Sequence, residues 1–186
     1  MILPPDFTLN RYGLFSRFVE ERDAKFIVDL RTDEVLSRYL HPTDSSIEKQ
    51  KEWIYGYKIR ERKGEDYYFI FFKDEKPVGL NRMYNIHDNI FTTGSWLFTP
   101  SAPFECSIAA SIIVRELAFD ELGLTYEDAY DGCHVENKKV MKFNHMMGLK
   151  DVGSYESDSG TFIKQSLTKE DFEKNKRRML KLIGIR

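Results

Sequence analysis

Apolar residues occur along the chain at two different spacings, and the change from one spacing to the other predicts strands and helices. Short continuous or alternating apolar runs predict strands, whereas apolar residues three or four positions apart predict helices. The predicted strands are residues 14–19, 67–72, 78–84, 93–98, 126–135, 152–155 and 161–165. The predicted helices are residues 21–30, 35–40, 44–63, 104–122, 138–147 and a charged segment over 168–186.

Several residues at the ends of these segments favour the predicted boundaries. Ser45 or Ser46 can cap the long third segment, because a serine hydroxyl accepts a hydrogen bond from a free backbone N–H. Gly64 and Gly148 each follow a predicted helix, in the position where a left-handed residue commonly ends one. Pro42 stops the short second helix, since the residue before proline disfavours the helical conformation.

The order of the elements predicts the fold class. Three consecutive strands between residues 67 and 98 are joined by turns, which predicts an antiparallel meander, and the later strands alternate with helices. We therefore expect an α/β fold of the mixed α+β type. Its core would be a mixed, mostly antiparallel sheet of about seven strands with helices on both faces. Residues 1–186 are expected to form one domain that ends in the helix over 168–186.

Composition and charge exclude several classes of function. The chain has 28 basic and 30 acidic residues, which argues against a nucleic-acid partner because such proteins usually carry a basic excess. No apolar run approaches the roughly 20 residues of a membrane span, and the first residues lack a secretion signal. Cys106 and Cys133 are expected to be free thiols in a cytoplasmic protein. The 4 histidines lack metal-ligand spacing, so no metal is expected.

Short motifs occur in a fixed order along most of the chain. They are Leu30-Arg31, Tyr39-Leu40, Trp53, Gly79, Gly94-Ser95-Trp96-Leu97, the segment Phe119 to Leu124, and the segment Val135 to Leu149. With this order and spacing, roughly Leu9 to Ser166 resembles the GNAT superfamily of acyl-CoA N-acyltransferases. The chain is most similar to the branch of ribosomal-protein N-terminal and nucleotide-sugar N-acetyltransferases. The resemblance implies transfer of an acetyl group from acetyl-CoA, as co-substrate, to a primary amine.

The resemblance also implies where coenzyme A binds. In that family the strand that corresponds to residues 94–99 separates from its neighbour, and the pantetheine arm pairs with its free edge. This implies contacts at Leu97, Phe98 and Thr99. One backbone N–H of this strand can polarise the thioester carbonyl, as in an oxyanion hole.

The start of the following helix is the implied pyrophosphate site. Its free N–H groups and the positive end of its dipole favour an anion, and the residues concerned are Cys106, Ser107 and Ile108. The family commonly has a glycine-rich loop at this point. Residues 102–107 contain no glycine and include Glu105, whose charge would repel a phosphate.

Asn137 lies where a predicted strand gives way to a predicted helix. The resemblance implies that its amide contacts the pantetheine arm, together with Val140 in the first turn of the helix. Asparagine is also a common N-cap residue. Two roles therefore stay open for Asn137, a ligand contact and a helix cap.

Proton transfer needs a base for the ammonium group and, in many family members, an acid for the thiolate. The family's acid is a tyrosine, and the matching residue here is Asn144, which cannot serve. The acid is then the neighbouring His145, a water molecule, or absent. For the base we consider histidines, whose ordinary pKa suits the task, and His41 and His87 lie in segments that line the acceptor side in relatives. We name His87 and His145 as the catalytic candidates.

The acceptor is expected to be a small molecule. Tyr39, His41, Arg82 and Tyr84 are the predicted substrate-binding residues, and an arginine such as Arg82 would suit a diphosphate. A nucleotide-linked amino sugar is the preferred acceptor. The alternatives are a protein N-terminus and a GNAT fold that holds coenzyme A or a partner without turnover. Neither a nucleic acid nor a membrane is an expected partner, and the chain is expected to be a monomer or a homodimer.

Overall fold

The computed structural model describes residues 1–185, apart from the side chains of Tyr130 and Asp131. The strands are β1 (Thr8–Arg11), β2 (Leu14–Phe18), β3 (Tyr67–Lys73), β4 (Lys76–His87), β5 (Ile90–Phe98), β6 (Tyr126–His134), β7 (Lys150–Ser157) and β8 (Gly160–Thr168). The helices are α1 (Ala24–Thr32), α2 (Ile47–Lys63), α3 (Phe104–Glu116), α4 (Lys138–Met147) and α5 (Lys169–Leu182). A π-helical turn, Leu117–Glu121, continues α3.

The described strands form one sheet in the order β1-β2-β3-β4-β5-β6-β8-β7. Neighbouring strands are antiparallel except for β5 and β6, which are parallel. The predicted fold class, a mixed and mostly antiparallel sheet with helices, is therefore confirmed. Within the described residues the sheet has eight strands where about seven were expected.

The central strand β3 is apolar on both faces, and this makes the sheet the middle layer of the fold. Tyr68 and Ile70 pack with side chains of α1 and α2 on one face. Tyr67, Phe69 and Phe71 pack with side chains of α3 and α5 on the other face. A strand covered on both faces has to be a continuous apolar run, as this one is.

The predicted helix over residues 35–40 is wrong, because these residues form turns and bends. The Asp33 carboxylate accepts hydrogen bonds from the backbone N–H groups of Val35 and Leu36, both at 2.9 Å. Such a side-chain bond gives the backbone an alternative to helical hydrogen bonding. The segment is consequently a loop that runs from the end of α1 across the sheet towards α2.

Two tight hairpin turns explain why the structure has one more strand than predicted and why two strands are longer than predicted. Tyr12 and Gly13 join β1 to β2 with φ values of 53° and 74°, and Asp88 and Asn89 join β4 to β5 with φ values of 47° and 64°. Two-residue turns with positive φ match the twist of antiparallel strands. The first turn creates β1, which the sequence analysis missed, and the second lets β4 and β5 extend further than predicted.

β5 and β6 separate soon after they meet. Their ladder covers only the pairs Ile90–Tyr126 and Phe91–Glu127, although both strands continue. Beyond these pairs one edge of β5 still bonds to β4, whereas the other edge faces a cleft. The predicted separation of the strand over residues 94–99 from its neighbour is thus present in the structure.

The packing of Phe98 at the end of β5 can be tested at Gly79, where a Cβ atom would overlap the Phe98 ring. We expect Gly79→Ala to lower the free energy of unfolding by roughly 1–3 kcal/mol, because it overfills a packed site. The matched control is Gly56→Ala in α2, where a Cβ atom would meet nothing within 4 Å. It should stabilise the protein by about 1 kcal/mol through helix propensity. Urea unfolding measures both, and equal effects would contradict the packing.

Candidate functional site

A β-bulge lies in the middle of β5. The register between β4 and β5 shifts by one residue there, so that Asn81 lies opposite both Ser95 and Trp96. Ser95 has a φ of 48°, a strained value for a residue with a side chain. A bulge leaves backbone groups unpaired and changes the direction of its side chains. Ser95 borders two cavities, one on each side of this point.

The first cavity, here called the α1–α2 cavity, lies between these helices and the sheet and has a volume of about 350 Å³. Its walls combine aromatic rings with charged groups. The lining residues are Ile27, Arg31, Pro42, Thr43, Asp44, Lys49, Gln50, Trp53, Tyr68, Arg82 and Ser95. An aromatic cavity with a few placed polar groups is typical of a small-molecule site.

Arg82 is held firmly in the wall of the α1–α2 cavity. Its Nε and Nη2 atoms donate to the two oxygens of the buried Asp66 carboxylate at 2.8 and 2.6 Å. Its guanidinium also stacks on the rings of Trp53 and Tyr84, at 5.0 and 4.6 Å from their centroids. Asp66 also accepts from Arg60 Nε at 2.9 Å, so Arg82 shares this carboxylate with a second guanidinium. Burial lowers the pKa of Arg82, but the contact with Asp66 outweighs this effect and raises it.

Arg31 bonds only to uncharged groups. Its Nε donates to Thr43 Oγ1 at 2.6 Å, its Nη1 to Ser95 Oγ at 3.1 Å, and its Nη2 to the His41 carbonyl at 3.4 Å. Among the described side chains, no carboxylate lies within ion-pair distance of Arg31. The guanidinium thus ties the loop after α1 to the bulge and leaves its charge uncompensated.

Tyr68 contributes a buried phenol to the same wall. Its side chain is 2% exposed, and its Oη lacks a hydrogen-bond partner among the described residues. Burial raises the pKa of Tyr68, and the neighbouring Arg31 and Ser95 oppose that shift. Buried hydroxyls rarely go unpaired in proteins, so this group is poised to bond to something that enters the cavity.

The second cavity, here called the cleft cavity, lies where β5 and β6 separate and has a volume of about 170 Å³. Side chains of α3 and α4 close it from behind, and Tyr39 and Leu40 border it from the loop after α1. Polar residues are frequent on its walls. They include Asn81, Thr93, Ser111, Arg115, Glu127, Asn144 and Gln165.

A buried ion pair forms the floor of the cleft cavity. Arg115 of α3 donates from Nε and Nη2 to the Glu127 carboxylate of β6, at 2.7 and 2.8 Å. Both residues are at most 3% exposed. Thr93 of β5 donates to the same carboxylate at 2.6 Å, and Ser111 accepts from Arg115. A charge pair buried this deeply is tolerated only with such additional hydrogen bonds.

Asn81 faces the cleft cavity with an unused acceptor. The residue is 1% exposed, and its Oδ1 has no hydrogen-bond partner among the described groups. A buried amide oxygen without a partner costs free energy of about 1–3 kcal/mol. A ligand or water in the cleft could satisfy it. This orphaned atom and the free edge of β5 are the features that fit an extended, amide-containing ligand such as a pantetheine arm.

Two aromatic pairs cross the ends of the cleft. Trp96 of β5 stacks on Phe143 of α4 with ring centroids 4.4 Å apart, and its indole N–H donates to the Ser107 carbonyl of α3 at 2.9 Å. Tyr39 stacks on His134 at the end of β6, with centroids 4.9 Å apart. The first pair lies between the cleft cavity and the start of α3. Any ligand that reaches from one to the other has to pass it.

Two of the predicted coenzyme A residues line the cleft cavity, namely Asn137 and Val140. Asn137 is also the N-cap of α4, since its Oδ1 accepts from the Val140 N–H at 3.4 Å. The two roles left open by the sequence are thus compatible, because a bond of 3.4 Å is long and the amide nitrogen is not used by the cap.

The other predicted coenzyme A residues lie along the end of β5 and the start of α3, with side chains that mostly face the core. Leu97 and Cys106 are 5% and 1% exposed, and Ile108 packs against the core. The Phe98 ring covers Gly79, and the Thr99 N–H donates to the Val78 carbonyl at 2.9 Å. The carbonyl of Ser107 is occupied by Trp96. The Cys106 N–H also donates, to the Pro103 carbonyl at 3.0 Å. Contact with a ligand would therefore have to come mainly from the backbone groups of this segment that these bonds leave free.

The predicted catalytic histidines do not lie at either cavity. His87 ends β4, is more than half exposed and contacts Asp88 at 3.3 Å. It is five residues from Arg82, about 17 Å along the strand. His145 bonds to Asp151 at 2.8 Å and lies 3.2 Å from the Gln165 amide, which lines the cleft cavity, but His145 is not itself in the lining. The structure thus does not bring these two side chains together with the bulge.

The four predicted substrate residues are divided between the two cavities. Arg82 lines the α1–α2 cavity, whereas Tyr39 lines the cleft cavity. His41 contributes its carbonyl to Arg31, and its side chain is exposed. Tyr84 stacks on Arg82 from outside the lining. The acid position, Asn144, borders the cleft cavity, and its amide donates to Gln165 at 2.7 Å.

Sequence reasoning missed Arg31, Tyr68 and Ser95 as site residues. Arg31 and Ser95 belong to motifs that were noted only for the fold, and Tyr68 was assigned to a core strand. One usable signal was present for the ion pair, because Arg115 stands inside an apolar helix where a charge needs a partner. Nothing in the sequence indicated that Ser95 lies at a bulge.

The described residues contain no cluster of three or more histidine, cysteine or acidic side chains that could hold a metal ion. None of the helices in residues 1–185 has both the length and the apolar character needed to span a membrane.

Known structures share this architecture. The nucleotide-linked sugar GNAT named FdhC, in its apo form, is 31% identical, with a TM-score of 0.79 over 96% of this chain and 99% of its own. RimJ of Mycobacterium smegmatis, in complex with CoA-disulfide, is 17% identical, with a TM-score of 0.78 over 97% of this chain and 95% of its own. The ribosomal-protein-S5-alanine acetyltransferase of Vibrio fischeri is 15% identical, with a TM-score of 0.76 over 90% of this chain and 99% of its own.

A family model for the acetyltransferase (GNAT) domain matches residues 14–150. No curated protein sequence gives a significant match. The matched segment begins with β2 and ends at the start of β7. It contains the bulge, the whole of α4, the α1–α2 cavity and all of the cleft-cavity lining except Gln165. The chain therefore belongs to the GNAT family of acetyltransferases and is an acyl-CoA N-acetyltransferase, for which acetyl-CoA is the implied co-substrate.

Proposed function

We propose that this enzyme acetylates the amino group of a nucleotide-linked amino sugar. The observation that carries the proposal is the meeting of the two cavities at Ser95. An acyl donor laid along β5 and an amine held between α1 and α2 would meet there from opposite sides. The sugar assignment is supported by the 31% identity to a nucleotide-linked sugar GNAT over nearly the full length of both chains.

On the donor side, the proposed route follows the free edge of β5. Unpaired backbone groups there can bond to the amides of the pantetheine arm as an added strand would. The N-terminus of α3 follows Pro103, whose side chain supplies no cap, so backbone N–H groups remain for the pyrophosphate. The acyl carbonyl would then lie at the bulge, where a backbone N–H can stabilise developing negative charge.

On the acceptor side, the α1–α2 cavity would hold the sugar. Trp53, which is partly exposed at 38%, contributes aromatic surface to its wall. Asp44 is the only carboxylate among the described lining residues, and it is paired with Lys49 at 2.5 Å. Loss of the ammonium proton is consequently assigned to water rather than to a side chain of the cavity. The thiolate needs no strong acid, since a thiol with a pKa near 8.5 is a fair leaving group.

The geometry of the two cavities does not support the catalytic roles predicted for the histidines. His87 and His145 stay candidates from the sequence, and the proposal does not depend on either. Asn144 is engaged with Gln165 and would orient the back wall of the cleft rather than transfer a proton.

The acceptor class can be tested with a panel of amines and saturating acetyl-CoA. We expect release of free thiol with nucleotide-linked amino sugars that carry the amine at different ring positions, and much weaker release with the free sugars. Peptides with N-terminal alanine or serine serve as the comparison. Thiol release with the peptides alone would contradict the proposal, and mass spectrometry of the product locates the acetyl group.

The two roles of Asn137 can be separated by two substitutions. Asn137→Ser keeps a capping oxygen but removes the amide, whereas Asn137→Ala removes both. We expect Asn137→Ser to keep the melting temperature and to raise KM for acetyl-CoA roughly three- to tenfold, the worth of one hydrogen bond. Asn137→Ala should also lower the melting temperature. An unchanged KM in Asn137→Ser would show that the residue acts only as a cap.

The donor route predicts a fluorescence signal from Trp96. The chain has 2 tryptophans, so Trp53→Phe leaves Trp96 as its sole indole. We expect titration with acetyl-CoA to change its emission in a saturable manner, because the ligand must pass the Trp96–Phe143 stack. Calorimetry on the same variant provides the control. If calorimetry detects binding of acetyl-CoA while the Trp96 emission stays constant, the donor does not follow this route.

A further inference from the structure

Three cationic side chains line the α1–α2 cavity, and they are not equivalent. Arg82 makes a bidentate contact with Asp66, which it shares with Arg60 outside the cavity, and Lys49 is paired with Asp44. Among these three, Arg31 is the cation without a described carboxylate partner, and sequence reasoning did not assign it to the site. This moves the expected anion contact from Arg82 on β4 to Arg31 on α1.

Arg31 also retains hydrogen-bonding capacity. A guanidinium has five N–H donors. Three are used, by Thr43, Ser95 and the His41 carbonyl, and the last of these bonds is long at 3.4 Å. The remaining N–H groups belong to Nη1 and Nη2, the pair that binds phosphate oxygens in a fork. These three bonds fix the orientation of the fork, so little side-chain entropy would be lost on binding.

The Tyr68 phenol is an independent observation at the same place. It is 2% exposed and lies beside Arg31 and Ser95, which lower its pKa by facing its oxygen as donors, and no described group accepts its proton. Because burial raises its pKa, the group stays protonated and can donate. A buried, unpartnered donor next to an uncompensated guanidinium is the arrangement expected for an oxyanion receptor.

We infer that Arg31 and Tyr68 form a phosphate-binding subsite in the α1–α2 cavity and that this subsite selects acceptors carrying a phosphate or diphosphate. The inference rests on the proposed function, because it assigns that acceptor's charged group to named side chains. Arg31 Nη1 is one hydrogen bond from Ser95. The phosphate would accordingly be bound one sugar ring away from the amine, close to the bulge.

The subsite is tested by calorimetry with inorganic pyrophosphate on protein saturated with coenzyme A, which keeps the probe out of the donor site. Wild-type protein should bind pyrophosphate, and Arg31→Gln should weaken binding about ten- to hundredfold, as expected for hydrogen bonds to a charged group. Tyr68→Phe should weaken binding about three- to tenfold. No binding by the wild type, or equal binding by Arg31→Gln, would overturn the inference.

Two control variants separate recognition from structural support. Lys25→Gln removes a positive charge from the exposed face of the same helix, where Lys25 pairs with Asp29, and should leave pyrophosphate binding unchanged. Thr43→Val breaks the bond that holds the loop but keeps the guanidinium. If Thr43→Val weakens binding as much as Arg31→Gln, Arg31 acts by holding the loop and the inference is wrong. Arg31→Lys keeps the charge but removes the fork, so it should bind pyrophosphate more weakly than the wild type and more tightly than Arg31→Gln.

Kinetics distinguish this inference from the proposed function. In Arg31→Gln the preference for a nucleotide-linked acceptor over the matching free sugar, as a ratio of kcat/KM, should fall at least tenfold. An unchanged ratio in an enzyme that does acetylate such acceptors would overturn the subsite and leave the function standing. Pyrophosphate binding lost in Arg31→Gln, in an enzyme that acetylates no nucleotide-linked sugar, would support the subsite and refute the function.

Discussion

The buried pair of Arg115 and Glu127 determines where the sheet opens. Glu127 belongs to the last residue pair of the β5–β6 ladder, and Thr93, just beyond that ladder, donates to the same carboxylate. Removing two charges from water costs several kcal/mol each. The two hydrogen bonds from the guanidinium and the one from the Thr93 hydroxyl offset this cost. The free edge of β5, the bulge and the cleft cavity all lie beyond this point. Loss of either partner would leave a bare charge at the apex of the cleft.

Most of the fold could be predicted from the spacing of apolar residues, since a strand covered on both faces and an amphipathic helix leave different patterns. The failures lie where a single polar side chain or a tight turn decides the structure. Asp33 turns residues 35–40 into a loop, and the turn at Tyr12 and Gly13 adds a strand too short and too polar to stand out. Such features depend on individual hydrogen bonds and φ values, which an apolar pattern does not record.

The site was predictable to a lesser degree. Asn137 and Val140 could be assigned because they follow a strand and begin a helix, and this order can be read from the sequence. Arg31 and Tyr68 come from separate elements that meet only after α1 has packed on the sheet. The sequence favours histidines because of their ordinary pKa. A general base must first lie within hydrogen-bonding distance of the amine, however, and His87 lies at a distant hairpin. The arrangement of the cavity thus follows from tertiary packing.

Cys133 lies on the wall of the cleft cavity, where the proposed donor would carry a reactive thioester. Burial, aided by the charge of Asp151, raises the pKa of its thiol to about 11. The thiol is therefore protonated at pH 7, and the thiolate is the nucleophilic form. A protonated thiol is a poor nucleophile, so a cysteine in this wall is compatible with a thioester donor in the same cleft.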